Sequence, residues 1–156
     1  MKVRCKLLHP EARMPYRKRA TDAGYDLYAV SRSLDKDGNL VYGTGLAFEI
    51  PEGYVGLVFP RSSIATKDIA LSNAVGVIDS SYRGEVTFKF KSAVPVNYDS
   101  FSGEYTIYDS DELEAYDIGD RIGQIIIMPY PQIEFEEAES LSDTDRGAGG
   151  YGSTGR

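Results

Sequence analysis

Residues 40–59 read LVYGTGLAFEIPEGYVGLVF, and this stretch contains two strand-like segments separated by a turn signal. Leu40–Ile50 and Tyr54–Phe59 mix β-branched, aromatic and aliphatic residues with period-two alternation, which is typical of strands. Pro51-Glu-Gly53 between them favours a turn. The stretch therefore predicts two consecutive strands of a β protein.

The same pattern recurs along much of the chain. Further strand-like segments are Lys2–Leu7, Tyr25–Val30, Val86–Phe90 and Arg121–Met128. The 16 glycines and 7 prolines punctuate them, with another turn signal at Asp37-Gly-Asn39. We expect only a single helical turn, around residues 64–70, because no segment of about 12 residues or more carries a helical apolar stripe. The pattern predicts an all-β fold, either a sandwich, a barrel or a jelly roll.

The composition is that of a globular protein. The chain has 156 residues, enough for one domain with its own core, with 42% hydrophobic and 26% charged residues. No apolar run approaches the roughly 18–20 residues of a membrane helix, and the charged start does not resemble a signal peptide. We therefore expect no membrane association and a cytoplasmic location, in the host cytoplasm if the gene is viral.

Charge and cysteine content exclude further classes. The formal net charge of −7 argues against direct nucleic-acid binding, which needs clustered cations, but a local positive pocket can still bind a nucleotide. The single cysteine, Cys5, excludes an intrachain disulfide framework and a multi-cysteine zinc site. Its alternation with Val3 and Leu7 predicts a core-facing position, and the single histidine, His9, is expected at the surface.

Two segments differ from the rest of the chain. Asn97–Tyr116 is polar and acidic, with a short strand-like stretch at Tyr105–Tyr108. Residues 145–156 are glycine-rich and contain almost no apolar side chain to bury. We expect a single β domain over residues 1–144, with 97–116 as an insert, and a flexible C-terminal lid over 145–156.

The C-terminal segment contains groups that can bind a nucleotide. Arg146 is followed by five glycines, Tyr151, Ser153 and Thr154. Glycines let backbone N–H groups turn towards an anion, and an aromatic ring can stack on a base. On composition alone, however, a disordered terminus explains the segment better.

Two further motifs follow predicted strands. Arg61, Ser62 and Ser63 come directly after Tyr54–Phe59, where an arginine and two hydroxyls can bind phosphate oxygens. Asp79 ends the apolar run that begins near Asn73, and a carboxylate at a hairpin tip can activate a water molecule. Ordinary turn chemistry explains both motifs about equally well.

The last two motifs place a polar side chain inside an apolar strand. Asp26 interrupts the segment Ala23-Gly-Tyr-Asp26-Leu-Tyr-Ala29, so its carboxylate must be exposed, paired or near a metal. Gln124 lies in Gly119-Asp-Arg121-Ile-Gly-Gln124, at the start of an apolar strand, and needs a polar partner. Each has a structural explanation that is at least as good as a functional one.

Together, in this order and at these spacings, the five motifs resemble those of the trimeric dUTPase family, from Ala23 to Gly155. The resemblance implies a distorted jelly-roll (β-clip) fold, a homotrimer with active sites at subunit interfaces, and hydrolysis of dUTP to dUMP and pyrophosphate. This reaction keeps uracil out of DNA and supplies dUMP for thymidylate synthesis. Mg2+ is implied as the cofactor, bound mainly by the triphosphate.

The resemblance also implies roles for individual residues. Asp79 would be the general base that activates the water attacking the α-phosphorus, and Asp26 would contact Mg2+ through a water molecule. The phosphates would be bound by Arg61, Ser62, Ser63, Gln124, Arg146, Ser153 and Thr154. Uracil and deoxyribose would be contacted by Asn73, Val77, Ile78, Tyr82, Thr87, Tyr151 and Gly152.

The chain departs from the family pattern at three places. Tyr151 stands where phenylalanine is usual and should still stack, Gly123 replaces a commoner alanine with no expected effect, and the segment 97–116 is longer than usual. The long segment leaves open an added regulatory role through a protein partner. A dCTP deaminase on the same fold is the nearest alternative, but it would lack the glycine-rich tail.

Overall fold

The computed structural model describes residues 1–93, 96–107 and 113–150, with only the backbone described at 96–98 and 104–107. Twelve strands and one 3-10 helix, Ser62–Thr66, make up its regular structure. In chain order the strands are β1 (Arg4–Leu7), β2 (Tyr25–Tyr28), β3 (Ser31–Leu34), β4 (Leu40–Gly43), β5 (Leu46–Glu49), β6 (Tyr54–Phe59), β7 (Ile69–Leu71), β8 (Gly76–Ile78), β9 (Thr87–Ser92), β10 (Val96–Asp99), β11 (Glu104–Ile107) and β12 (Arg121–Pro129). The all-β prediction is confirmed.

Two four-stranded sheets form the body. Sheet I has the strand order β2-β12-β6-β8 and sheet II the order β3-β4-β9-β7, and all pairs in them are antiparallel. Two smaller pairs, β1–β5 and β10–β11, complete the described strands. The architecture is that of a distorted jelly roll, as expected.

The core lies between the two sheets. Buried residues of sheet I, such as Leu27 and Ile122, belong to the same apolar cluster as Tyr42, Phe88 and Phe90 of sheet II. The two sheets are in close contact at Gly123, where an added Cβ would lie 2.1 Å from the Phe88 ring. An alanine at this position would overlap the aromatic ring, so the glycine that stands in place of the commoner alanine fits the packing of this chain.

Most predicted strands are present, with two instructive differences. The predicted strand Leu40–Ile50 is divided into β4 and β5, because Gly45 takes a positive φ of 65° that ends the extended conformation. The predicted hairpin at Asn73–Tyr82 is not a hairpin, because β7 pairs with β9 in sheet II while β8 pairs with β6 in sheet I. Residues 72–75 are instead a link between the sheets.

The polar segment 97–116 has two distinct parts. β10 and β11 form a hairpin whose tip carries Phe101, which is fully exposed. Tyr116, at the other end, is only 3% exposed and belongs to the core. The predicted strand residue Tyr108 lies outside the described residues.

The structure also shows where the single cysteine and the single histidine lie. Cys5 is half-buried against the core, and burial raises the pKa of its thiol. His9 is exposed and accepts a hydrogen bond from the backbone N–H of Glu11. No helix within the described ranges is long and apolar enough to span a membrane.

Candidate active site

A group of charged side chains surrounds Asp26 on the edge strand β2. Its carboxylate accepts hydrogen bonds from Arg61 Nε (2.8 Å) and from Arg121 Nη1 (3.0 Å). Arg61 Nη1 also lies 3.5 Å from Ser63 Oγ. We call Asp26, Arg61, Arg121 and Ser63 the arginine cluster.

The arginine cluster has an excess of positive charge. One carboxylate faces two guanidinium groups, and the side chains of Asp26 and Arg61 are only 18% and 25% exposed. Charges that are partly withdrawn from water act more strongly on a ligand than fully hydrated ones. The cluster is therefore suited to an anionic ligand, although the whole chain is acidic.

Gln124 lies beside this cluster, and its amide is bound as the sequence required. Its Nε2 donates to the carbonyl oxygen of Pro60 (3.1 Å), immediately before Arg61. A Cβ at position 24 would lie 2.1 Å from Gln124 Oε1, so the amide packs where Gly24 has no side chain. Ser62, the first residue of the 3-10 helix, is exposed.

A second group of predicted residues surrounds a shallow cavity of about 150 Å³. Asp79 is exposed at its rim, directly after β8. The lining consists of Val77, Ile78, Asp79, Tyr82, Glu85, Val86 and Thr87. We call this group the Asp79 pocket, and it contains five of the residues predicted to contact nucleotide or water.

Tyr82 is held in place within the Asp79 pocket. Its hydroxyl donates to the carbonyl oxygen of Glu85 (3.0 Å). The ring folds back over Gly84, where an added Cβ would lie 2.4 Å from the hydroxyl oxygen. A side chain at position 84 would therefore displace the ring from the pocket.

Asn73 lies outside the lining of the Asp79 pocket, on the link between the two sheets. Its side chain is exposed, and its carbonyl oxygen accepts a hydrogen bond from the Val75 N–H (2.5 Å). The intervening Ala74 has a positive φ of 58°, a conformation that costs a residue with a Cβ about 1 kcal/mol or more. The tight turn presents the Asn73 amide to solvent.

The arginine cluster and the Asp79 pocket occupy opposite corners of sheet I. Asp26 pairs with Gln124 and Gln124 with Phe59, whereas Asp79 follows Ile78, which pairs with Gly56. Three strand spacings of about 4.8 Å across the sheet and four residue steps of about 3.3 Å along the strands separate the two aspartates, so the diagonal distance between them is roughly 20 Å. No hydrogen bond or ion pair between described residues joins the two groups.

The glycine-rich tail makes only local contacts where it is described. Arg146 Nε donates to the carbonyl oxygen of Gly149 (2.9 Å) within a turn that begins at Thr144. This turn does not bring the guanidinium to either group of side chains in the same chain. The predicted contacts of Tyr151, Gly152, Ser153 and Thr154 lie outside the described residues.

Two residues beside the arginine cluster were not predicted from the sequence. Arg121 is the second cationic partner of Asp26. A half-buried carboxylate needs a countercharge, and this requirement is the signal that could have identified Arg121. The Tyr116 hydroxyl lies 3.2 Å from Ser63 Oγ. It was missed because the acidic residues around it resemble a solvated loop.

Comparisons with known proteins agree on one family. The dUTPase family profile matches residues 10–98 and 110–155. A deoxyuridine 5'-triphosphate nucleotidohydrolase of Nautilia profundicola is 40% identical over all of both chains. Among solved structures, a mutant dUTPase of Staphylococcus bacteriophage 80alpha with dUpNHpp has a TM-score of 0.77 and 30% identity, covering 99% of each chain. A mutant dUTPase of phage phi11, described with a structural Mg(II) ion, has a TM-score of 0.68 and 31% identity, covering 90% of this chain and 99% of that one.

Proposed function

The chain belongs to the dUTPase family, and from this premise we propose that it hydrolyses dUTP at sites that combine the arginine cluster with the Asp79 pocket. The products are dUMP and pyrophosphate, and the proposed location is the cytoplasm, of the host if the gene is viral. The observation that carries the assignment of residues is the convergence of Val77, Ile78, Asp79, Tyr82 and Thr87 on one cavity. Residues chosen from family motifs thus share one surface.

Nucleoside recognition is assigned to the Asp79 pocket and the neighbouring link. Val77 and Ile78 offer backbone groups and an apolar surface to uracil, and the exposed Asn73 amide can both donate and accept hydrogen bonds. The fixed ring of Tyr82 packs against deoxyribose and leaves no room for a 2′-hydroxyl. Thr87 contributes a hydroxyl at the same rim.

Phosphate binding is assigned to the arginine cluster and its neighbours. Arg61 is held by Asp26, so its guanidinium is oriented before the substrate arrives. Ser62, Ser63 and Gln124 add neutral donors near it. Donors that are already oriented stabilise the charge that develops on phosphate oxygens without reorganisation in the transition state.

Asp79 is assigned the role of general base. Its carboxylate takes a proton from a water molecule as the water oxygen bonds to the α-phosphorus. The bond from that phosphorus to the bridging oxygen breaks, and pyrophosphate leaves. The exposed position of Asp79 at the pocket rim fits a residue that serves water rather than the base or sugar.

The described residues fit a magnesium ion that arrives with the substrate. They contain no group of three or more histidine, cysteine, aspartate or glutamate side chains able to hold a metal. Asp26 is bonded to two guanidinium groups, but a carboxylate has about four lone-pair positions and can still accept a water ligand of Mg2+. The ion would neutralise charge on the triphosphate.

The separation of the two groups supports shared sites in a homotrimer. An α-phosphate bound by the arginine cluster of one chain lies too far from the Asp79 of the same chain, given the roughly 20 Å between Asp26 and Asp79. A neighbouring chain in a three-fold ring can supply the missing Asp79. A third chain's Arg146, Tyr151, Gly152, Ser153 and Thr154 then close over the nucleotide as a lid.

The hairpin β10–β11 supports a second role, binding to a regulatory protein partner. Its tip carries Phe101, whose side chain is 100% exposed, and aromatic residues are enriched at the centres of protein interfaces. The tip is ordered by Asp99, whose carboxylate accepts a hydrogen bond from the Phe101 N–H (2.9 Å). This role is compatible with hydrolysis.

Pyrophosphate release from dUTP, dTTP, dCTP and UTP, with Mg2+ and with a chelator, tests the proposed activity. We expect release from dUTP in large excess over the other three, and its loss with the chelator. Ammonia release from dCTP would instead identify a deaminase. Equal rates with dUTP and dTTP would overturn the assignment of the Asp79 pocket to uracil.

A further inference from the structure

Tyr116 places its hydroxyl next to a phosphate-binding residue from inside the core. Its ring packs edge-on against Tyr42 and at a tilt against Phe90, and the residue is 3% exposed. Its carbonyl oxygen accepts a hydrogen bond from the Tyr42 hydroxyl (2.8 Å). The Tyr116 hydroxyl, fixed by this packing, lies 3.2 Å from Ser63 Oγ.

The contacts of Ser63 restrict the direction of its own proton. A serine hydroxyl has one proton to donate and two lone pairs that accept. When Ser63 Oγ accepts from Tyr116 Oη and from Arg61 Nη1, both lone pairs are used. The proton of Ser63 is then left to point away from the protein, towards an anion bound at the arginine cluster.

The chain just before Tyr116 is bonded to the residues that follow the 3-10 helix containing Ser63. The Asp68 N–H donates to the Glu114 carbonyl oxygen (2.8 Å), and the Glu114 N–H donates to the Asp68 carboxylate (3.2 Å). Lys67 Nζ forms an ion pair with Glu114 (3.3 Å) and lies 5.8 Å from the centre of the Tyr116 ring. Ser63 and Tyr116 are therefore held together by the backbone as well as by their hydroxyls.

We propose that Tyr116 is a positioning residue for phosphate binding, whose hydroxyl donates to Ser63 Oγ and directs the Ser63 proton to the triphosphate. The proposal rests on the function proposed above. It assigns a role in substrate binding to the core residue that ends the polar segment 97–116. Tyr116 itself does not touch the substrate.

The variant Tyr116→Phe tests this role, because it removes the hydroxyl and keeps the ring in the core. We expect the KM for dUTP and the Kd for dUpNHpp to rise about three- to tenfold, the range for loss of one hydrogen bond. The kcat should fall by no more than a similar factor, because Ser63 is one of the donors assigned to the charge that develops on phosphate oxygens in the transition state. Unchanged KM and Kd in a folded Tyr116→Phe trimer would overturn the proposal.

Two further variants separate positioning from general loosening of the core. In a double-mutant cycle, Tyr116→Phe should have no added effect on KM once Ser63→Ala is present, whereas additive effects would show that it acts by another route. Val30→Ala is the control for loosening, since it removes buried side-chain volume from the same apolar core and leaves the hydrogen bonds of Ser63 and Tyr116 in place. It should lower the melting temperature and leave KM unchanged, and an equal rise in KM would overturn the proposal.

These outcomes remain distinct from a failure of the proposed function. If the wild-type protein does not hydrolyse dUTP, the function itself is wrong. If the wild-type protein hydrolyses dUTP and Tyr116→Phe behaves like it, only the role of Tyr116 is wrong.

Discussion

The arginine cluster and the Asp79 pocket differ in how their side chains are held. In the arginine cluster, Asp26 fixes two guanidinium groups through charge-assisted hydrogen bonds, and its side chain is 18% exposed. In the Asp79 pocket the key carboxylate is exposed, and Tyr82 is held by one hydrogen bond to a carbonyl oxygen. The proposed phosphate-binding half of the site is therefore organised within one chain, whereas the proposed Asp79 half is open at its rim. We infer that assembly completes the second half.

The most severe test of this comparison is Asp79→Asn. The amide keeps the shape of the side chain but cannot accept the proton of the attacking water, so turnover should fall at least about 100-fold. Binding of dUpNHpp, measured by calorimetry, should change little. Asp143→Asn, at an exposed position outside both groups, is the matched control. If Asp79→Asn keeps more than about a tenth of the wild-type kcat, a barrier change below about 1.4 kcal/mol, Asp79 is not the base.

The separation of the two groups predicts complementation between inactive subunits. Asp79→Asn and Arg61→Ala should each be inactive alone. When they are mixed in equal amounts and refolded together, about three-quarters of random trimers contain both variants, and each mixed ring has one site with a good Arg61 and a good Asp79. About a quarter of wild-type activity should return. If one chain supplied both residues to a site, mixed trimers confirmed by mass would stay inactive.

A substitution at Asp35 tests whether a charged side chain also stabilises the link at residues 72–75, beside the Asp79 pocket. Partial burial raises the pKa of its carboxyl, but hydrogen bonds from Asn39, Lys89 and Asp37 outweigh this and hold the pKa well below 3.8. Asn39 in turn accepts a hydrogen bond from the Ser72 hydroxyl (3.3 Å), next to Asn73. The ordered turn therefore supports the link that carries the Asn73 amide.

Because its native pKa is depressed, Asp35 stabilises the fold fully above the unfolded-state pKa near 3.8, and this stability is lost as the pH falls through the native pKa. Asp35→Asn should lower the free energy of unfolding at pH 7 by about 1–2 kcal/mol. The difference from the wild-type protein should shrink as the pH falls below about 4. Urea unfolding at pH 7, 5 and 3 measures this, with the exposed Asp37→Asn as control. A difference that grows on acidification would contradict the assignment.

The smallest effect is expected from the insert. Replacing residues 97–108 with a short glycine–serine turn should leave dUTP hydrolysis close to normal, because the hairpin lies outside both groups and a change in surface-loop length costs little closure entropy. The residues from Leu113 to Tyr116 must be retained, since Tyr116 is part of the core. Loss of activity in an intact trimer would show that the hairpin contributes to a site.

The sequence predicted the need of single residues for polar partners better than it predicted where those residues lie relative to one another. Asp26 and Gln124 were recognised as polar residues in apolar strands, and both have the partners that burial demands. The division of the motifs between opposite corners of sheet I was not predictable, because it depends on pairing between distant strands. β7 and β8 have only three residues each, too few to show alternation, and this is why the link between the sheets was mistaken for a hairpin.

The contact between Gly123 and Phe88 has a consequence for the order in which substitutions can be accepted. An alanine at 123 and a phenylalanine at 88 compete for one volume, since the added Cβ would lie 2.1 Å from the ring. Overpacking of this kind typically costs about 1–3 kcal/mol, a large share of a small domain's stability. Gly123→Ala should therefore be harmful in this background and tolerated once Phe88 has become smaller. Position 123 is next to Gln124, a proposed phosphate-binding residue, so the aromatic side chain at 88 limits which substitutions can be accepted beside it.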